Sequence, residues 1–154
     1  MSSEVRMVEV GGKPVTVRIA RAEGFIRLRP ETIELIKEGK IRKGNVIAVA
    51  KTAAILAAKR TWELIPLCHP LPLTGVEVKV ELMENRIRVC AEVRTVARTG
   101  VEMEALTAVC VGLLTIWDMV KEYEKDSRGL YPSTVIEGVR VVSKIKKPSK
   151  DDEP

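Results

Sequence analysis

Two strongly alternating segments joined by a short turn place the tightest constraint on how this chain can fold. In GVEVKVEL (75–82) and RIRVCAEVRTV (86–96), apolar residues alternate with polar or charged ones over most of the length, and the turn MENR (83–86) joins the two segments. Alternation with a period of two predicts β-strands that bury one face and leave the other in water. The chain is therefore predicted to contain an antiparallel hairpin whose apolar face must be buried against other elements.

The rest of the chain supplies that cover and extends the sheet. The pattern predicts two further strands, at 13–28 and 134–145, and three helices, at 29–39, 44–62 and 102–125. Pro30 and Gly39 delimit the first helix, and Asn45 is expected to cap the second. The order β-α-β-β-α-β predicts an α+β protein with a ferredoxin-like antiparallel sheet and helices packed on one face.

One domain accounts for nearly the whole chain. We predict a single domain over residues 1–146 and a disordered tail over residues 147–154, where charged residues and prolines replace the apolar pattern. The helices at 44–62 and 102–125 are apolar nearly all round, which is unusual for the surface helices of a monomer. We therefore predict a homo-oligomer with these helices at its interface.

Composition narrows the class of protein. The chain has 154 residues, of which 45% are hydrophobic and 31% charged, and its longest apolar run (105–117) is shorter than the ~20 residues of a membrane span, so we expect a globular cytoplasmic protein. Three cysteines without CxxC spacing predict neither a disulfide framework nor a metal site. A net charge of +5 favours an anionic partner, and 3% aromatic residues argue against base stacking on nucleic acid. A small phosphorylated ligand is the better prediction.

Charged residues within the apolar helices are the first candidates for a site. Asp118 and Lys121 are three residues apart and share one helix face. This spacing fits a surface ion pair near the helix end, and it also fits a carboxylate that tunes a lysine for proton transfer. Glu102 and Glu104 lie where a strand gives way to a helix. They fit either simple dipole complementation or a pair of converging acids.

Two loops add a lysine and the only histidine. Lys43 and Gly44 precede a predicted helix start, which resembles a phosphate-binding site, and a solvated loop lysine is the alternative. His69 lies in the proline-rich loop WELIPLCHPLPLTG (62–75). A metal site lacks further ligands at suitable spacing, and a Cys68–His69 nucleophile pair lacks an orienting third group. Two roles of His69 therefore remain as alternatives: a histidine packed for structural reasons, or a rigidly held contact to a ligand.

Two long motifs resemble one known family. The segments KRTWELIPLCHPLPLTGVEV (59–78) and RTGVEMEALTAVCVGLLTIWDMVK (98–121) are closely similar to the molybdenum cofactor biosynthesis protein C family, also called cyclic pyranopterin monophosphate synthase. The resemblance extends from about residue 7 to the final strand and includes a KG pair, LCHP, GVEMEAL and DMxK. Two departures stand out: Glu9 replaces a common Asp, and the segment 126–138 is longer than in shorter family members.

The resemblance implies a lyase of molybdenum cofactor biosynthesis. Family members convert 3′,8-cyclo-7,8-dihydroguanosine triphosphate, which a radical-SAM enzyme produces, to cyclic pyranopterin monophosphate and release pyrophosphate. The implied catalytic residues are Lys43, Asp118 and Lys121. The implied substrate contacts are Arg18, Cys68, His69, Glu102, Met103, Glu104 and Lys144, with Arg29 as a weaker basic candidate. The resemblance implies no resident metal or cofactor, although magnesium can accompany the triphosphate, and it implies a dimer-based hexamer.

Two functions from other classes are the alternatives. A non-catalytic nucleotide- or RNA-binding module on the same fold would bind oligonucleotides in a salt-sensitive way and would need stacking aromatics on the sheet. A hydrolase with Cys68 as nucleophile would lose essentially all activity in a Cys68→Ala variant. The synthase would retain much of its activity in that variant.

Overall fold

Within residues 3–149, four strands and three helices follow the order expected from the sequence, and a fourth, short helix was not expected. The computed structural model describes residues 3–149. Its elements are β1 (Thr16–Arg27), α1 (Pro30–Lys37), α2 (Val46–Lys59), α3 (Thr61–Leu64), β2 (Leu73–Leu82), β3 (Arg86–Ala97), α4 (Glu102–Glu124) and β4 (Val135–Pro148). The strands form one antiparallel sheet in the order β2-β3-β1-β4. The predicted α+β class and the ferredoxin-like βαββαβ arrangement are confirmed.

The alternating pattern separates the two faces of the sheet. On the inner face, Ile26 of β1 and Val89 and Val93 of β3 are fully buried beneath α2 and α4. On the outer face, Glu23 of β1 is held between the guanidinium groups of Arg88 and Arg140, with Nε–O distances of 2.8 and 2.7 Å. One face of the sheet therefore forms the core, and the other carries a network of paired charges.

Small residues let the two long helices lie close together. The side of α2 that faces α4 carries Ala50 and Ala54, both fully buried. A Cβ placed on Gly112 of α4 would lie 3.5 Å from the Cβ of Ala54 and 3.3 Å from Cγ1 of Val89. Close approach of helix and sheet thus explains the glycine, because a larger side chain would push α4 away from its neighbours.

The outward side of this helical layer is apolar and uncovered. Large apolar side chains on α2 and α4 are exposed, among them Val49, Ile55, Leu56, Met103 and Leu114. By length and composition α4 could cross a membrane, but half of its apolar stretch is buried in the protein. It packs against β1, β3 and α2, so it is a core helix with one uncovered apolar side.

Several boundaries differ from the sequence expectations, and the largest differences are at the ends of α2 and β4. The helix expected over 44–62 ends at Lys59, because Arg60 leaves the helical region and the Thr61 hydroxyl donates to the carbonyl oxygens of Ala57 and Ala58; a separate turn, α3, follows. The last strand continues to Pro148, two residues past the predicted domain end, because Lys147 pairs with Val17 of β1. Of the predicted tail (147–154), residues 150–154 lie outside the described range.

Candidate active site

Lys43, Asp118 and Lys121 form one cluster at the C-terminal end of α4. The two carboxylate oxygens of Asp118 are divided between the lysines: Oδ1 lies 3.0 Å from Nζ of Lys121, and Oδ2 lies 3.3 Å from Nζ of Lys43. Lys43 also donates to the backbone carbonyl of Asp118 at 2.8 Å. The structure therefore brings together the three residues for which catalytic roles were expected.

A sharp loop delivers Lys43 to this cluster. Gly44 has a φ of +117°, in a region that other residues rarely adopt, and its N–H donates to the carbonyl of Ile41, which is buried. Asn45 then caps α2 by accepting from the N–H of Ala48, as predicted. Lys43 is consequently turned towards α4, although it precedes the start of α2.

Electrostatics fix the charge states in the cluster. Hydrogen bonds from Lys121 and Lys43 lower the pKa of Asp118, and the Asp118 carboxylate raises the pKa of Lys121. Lys121 is therefore an ammonium group at neutral pH. In this state it can donate a proton or neutralise a phosphate, and it can accept a proton only after it has given one up.

An apolar cleft opens beside the lysines. It encloses about 350 Å³ and is lined by Leu114, Trp117, Asp118, Lys121 and Ile136. Trp117 and Lys121 are one helical turn apart and share a face of α4. A bound molecule would meet the ammonium group of Lys121 on one side and apolar side chains on the other.

A second cluster surrounds the N-terminal end of α4. Glu104 is almost completely buried, its Oε2 accepts from the thiol of Cys68 at 3.8 Å, and its Oε1 has no hydrogen-bond partner within the described residues. Burial raises the pKa of Glu104, and burial together with the nearby Glu104 carboxyl raises the pKa of Cys68 to about 11. Cys68 is therefore a thiol at neutral pH, which argues against a nucleophilic role.

Basic residues stand next to this carboxylate cluster. Nζ of Lys144 lies 3.4 Å from Oε1 of Glu102, the first residue of α4. Together with Arg18, these residues line a pocket of about 180 Å³ that also contains Gly100 and Lys146. Lys146 was missed by the sequence analysis, although its spacing of two from Lys144 places both lysines on one face of β4.

The remaining expected contacts have different surroundings. His69 is half-buried directly after Cys68, and its carbonyl oxygen lies 3.9 Å from the Cys68 sulfur. Met103 is exposed at the start of α4. Arg29 hydrogen-bonds the carbonyl of Tyr123 and lies 3.8 Å from the buried carboxylate of Glu124, so its contacts join α1 to the end of α4. Within residues 3–149, no group of three potential ligands could hold a metal ion.

A single chain keeps the two clusters apart. Glu104 and Asp118 are fourteen residues apart on one continuous helix, which corresponds to about 21 Å along its axis. Glu102 and Glu104 also diverge, because Glu102 contacts Lys144 and Glu104 contacts Cys68. The expected site residues therefore form two half-sites at opposite ends of α4.

Comparison with known proteins identifies the family of this chain. Residues 7–147 match the model of the MoaC family. A relative from Pyrococcus abyssi, named "Probable cyclic pyranopterin monophosphate synthase", is 65% identical over 142 residues, covering 92% of this chain and 89% of the relative. A relative from Saccharolobus solfataricus with the same name is 54% identical over 146 residues, covering 95% and 98%. A third, from Methanothermobacter thermautotrophicus, is 62% identical over 142 residues, with coverage of 92% and 89%, and is named "Probable cyclic pyranopterin monophosphate synthase accessory protein". The chain belongs to the MoaC family.

Proposed function

We propose that this protein is a cyclic pyranopterin monophosphate synthase of molybdenum cofactor biosynthesis. Its substrate is 3′,8-cyclo-7,8-dihydroguanosine triphosphate, and its products are cyclic pyranopterin monophosphate and pyrophosphate. The observation that carries the proposal is the Asp118 carboxylate held between the ammonium groups of Lys43 and Lys121 beside an apolar cleft. The names of the relatives from Pyrococcus abyssi and Saccharolobus solfataricus support the same function.

The lysine cluster suits the acid–base steps of this reaction. Lys121, protonated because Asp118 favours its charged form, donates a proton to the leaving nitrogen as a C–N bond of the purine-derived ring breaks, and a new C–N bond then closes the pterin ring. A hydroxyl oxygen of the sugar-derived part then attacks the α-phosphorus, the bond to pyrophosphate breaks, and the electron pair leaves with pyrophosphate. Lys43 stabilises the negative charge that develops on the phosphate oxygens. The hydroxyl proton is available to restore Lys121 to its ammonium form.

The half-site at the start of α4 suits recognition of the substrate. Arg18, Lys144 and Lys146 surround one pocket and offer positive charge to a phosphate. Glu104, whose pKa is raised by burial, and the Cys68 thiol offer a polar patch to the nitrogen-rich ring system, and His69 and Met103 border the same region. Glu102 lies between the two groups, next to Lys144.

We propose further that each active site is built from two chains. The uncovered apolar sides of α2 and α4 need a partner, and an antiparallel pairing of α4 with a second copy would place the Glu102–Glu104 end of one chain near the Asp118–Lys121 end of the other. One such dimer would carry two equivalent sites. A hexamer assembled from three dimers is the assembly implied by the family resemblance.

The proposal extends to the cellular context. The protein works in the cytoplasm and receives its substrate from a radical-SAM enzyme. It needs no resident metal or cofactor, because proton transfers and phosphate chemistry account for the conversion. Any magnesium arrives with the triphosphate and supplies charge neutralisation.

The decisive experiment supplies the purified protein with the cyclised nucleotide, with and without magnesium. We expect pyrophosphate and a pterin that becomes fluorescent after oxidation, in equal amounts. A Lys121→Ala sample is the matched control. Pyrophosphate without pterin would indicate a simple hydrolase, and tight binding of mixed RNA without turnover would favour the binding-module alternative.

A further inference from the structure

The segment between α4 and β4, residues 125–134, packs against Trp117, which lines the cleft beside Asp118 and Lys121. It begins as a rigid turn: the N–H of Asp126 donates to the carbonyl of Leu130, and the side chain of Asp126 accepts from the N–H groups of Arg128 and Leu130 at 2.8 and 3.0 Å. Gly129 supplies the positive φ of +77° that this turn requires. The segment is thus folded back on itself.

A second anchor fixes the other end of the segment. The hydroxyl of Thr134, which is buried, donates to Oε1 of Glu124 at 2.8 Å. The Glu124 carboxylate also accepts from the N–H of Arg29 and from the Thr32 hydroxyl at the start of α1. The far end of the segment is therefore tied to the last turn of α4, and the three residues between the turn and this anchor have little freedom.

Tyr131 lies between these anchors and faces α4. Pro132 restricts Tyr131 to an extended backbone conformation. The Tyr131 ring packs edge-on against Trp117, with ring centroids 5.1 Å apart and an interplanar angle of 71°. Such aromatic pairs stabilise one relative geometry of the two rings. Trp117 is in turn one helical turn from Lys121 and lines the same cleft.

We propose that Tyr131 is a positioning residue of the active site: with Trp117 it forms an aromatic wall that holds the Lys121 side chain against Asp118. This inference rests on the proposed function, in which Lys121 transfers protons. It gives the 125–134 segment a role in the reaction, because the segment's two anchors serve to hold one ring beside the catalytic lysine.

Electrostatics are consistent with this arrangement. The groups that act on the charge of Lys121 are Asp118 on its own helix, Lys43 through its shared contact with Asp118, and Tyr131 from the 125–134 segment. Asp118 raises the pKa of Lys121 most, and Tyr131 raises it further. Loss of Tyr131, or a looser contact between Lys121 and Asp118, should therefore lower the pKa of Lys121 towards its ordinary value.

The test compares three variants, Tyr131→Ala, Tyr131→Phe and the matched control Leu130→Ala, whose side chain is 60% exposed on the same segment. For Tyr131→Ala we expect kcat to fall about tenfold, as for a misplaced catalytic group, with KM within about twofold of wild type. Tyr131→Phe keeps the ring and should restore most of kcat. Leu130→Ala should match wild type, and melting temperatures should be similar throughout.

A second measurement does not depend on turnover. In protein with ¹³C-dimethylated lysines, the Lys121 signal, assigned with Lys121→Arg, should titrate at lower pH in Tyr131→Ala than in wild type and be unchanged in Leu130→Ala. A Tyr131→Ala protein with wild-type kcat, or with an unchanged Lys121 titration, would overturn the inference, as would a loss of kcat explained by early melting. If the wild type fails to convert the nucleotide, the proposed function fails, and the titration still decides the role of Tyr131.

Discussion

Asp118 decides how Lys121 and Lys43 can act, because a single exposed carboxylate contacts both ammonium groups. Exposed ion pairs are strongly screened by solvent, so the cluster does little to hold the fold. The main effect of the Asp118 carboxylate is to hold two positive charges close together beside one cleft.

The first prediction follows from this separation of stability and activity. Lys121→Ala and Lys43→Ala should each lower turnover at least ~100-fold, the usual contribution of a positioned acid or base, with melting temperatures near wild type. Pyrophosphate release and thermal melts measure the two properties. A variant that keeps near-normal turnover, or that melts early, would contradict the catalytic assignment of its lysine.

The second prediction concerns the thiol of Cys68. Because burial and the Glu104 carboxyl raise its pKa to about 11, the reactive thiolate forms only in strongly alkaline solution. Its alkylation by iodoacetamide should be slow at pH 7 and still increase with pH up to at least pH 10. Mass spectrometry of the peptide that contains Cys68 measures this rate.

Cys68→Ala completes the comparison with a hydrolase. The variant should retain much of the synthase activity, because the thiol contacts the substrate and does not act as a nucleophile. Complete loss of activity, or rapid alkylation at neutral pH, would revive the nucleophile hypothesis.

Among the elements, the outer face of the sheet couples stability to pH. Hydrogen bonds from Arg140 and Arg88 lower the pKa of Glu23 in the folded protein. The carboxylate therefore stabilises the fold fully at pH values above its unfolded-state pKa, near 4.5. This stabilisation is lost as the pH falls through the lower folded-state pKa. β1, β3 and β4 are joined through this one side chain.

The third prediction is a difference in melting temperature between a Glu23 variant and wild type that disappears at acidic pH. Glu23→Gln should melt at a lower temperature than wild type at pH 7, and the two melting curves should converge at a pH well below 4.5. Glu77→Gln, an exposed change on the same face, is the control and should match wild type at both pH values. A Glu23→Gln deficit that persists unchanged in acid would show that packing, and not charge pairing, is responsible.

For the whole molecule, the distance between the two half-sites is the central fact. About 21 Å of helix separates Glu104 from Asp118, and the helical layer exposes Leu114 at 57% together with other apolar side chains. Both features are explained if a second copy of the chain covers this layer and completes each site.

The fourth prediction tests this composite site by subunit mixing. Chains carrying Glu102→Ala and chains carrying Lys121→Ala, each inactive alone, are co-expressed with different tags, and the hybrid is isolated. One of the two sites in a hybrid dimer then holds both native residues, so about half of the wild-type activity should return.

Lys43→Ala mixed with Lys121→Ala is the matched control. These two residues belong to the same half-site of one chain, so no site in that hybrid is fully native and activity should stay absent. A Glu102–Lys121 hybrid that is equally inactive would show that each site takes both residues from one chain.

Much of the fold follows from local pattern. The alternating segments specify the hairpin, and Asn45 specifies the start of α2 through its side-chain cap. The break at Arg60 does not follow in this way: Arg60 leaves the helical region, and the Thr61 hydroxyl donates to the carbonyl oxygens of Ala57 and Ala58.

The site divides in the same manner. The motifs were sufficient to select Lys43, Asp118 and Lys121, and the spacing of three placed Asp118 and Lys121 on one face. Only the tertiary structure turned Lys43 towards α4, placed Tyr131 against Trp117, and set Lys146 beside Lys144 in one pocket with Arg18. The sequence alone gives the residue types and the local periodicity of apolar and polar residues. Contacts between residues far apart in the chain depend instead on how loops close and how helices pack. Both depend on the close packing of one buried core, which involves residues from the whole chain.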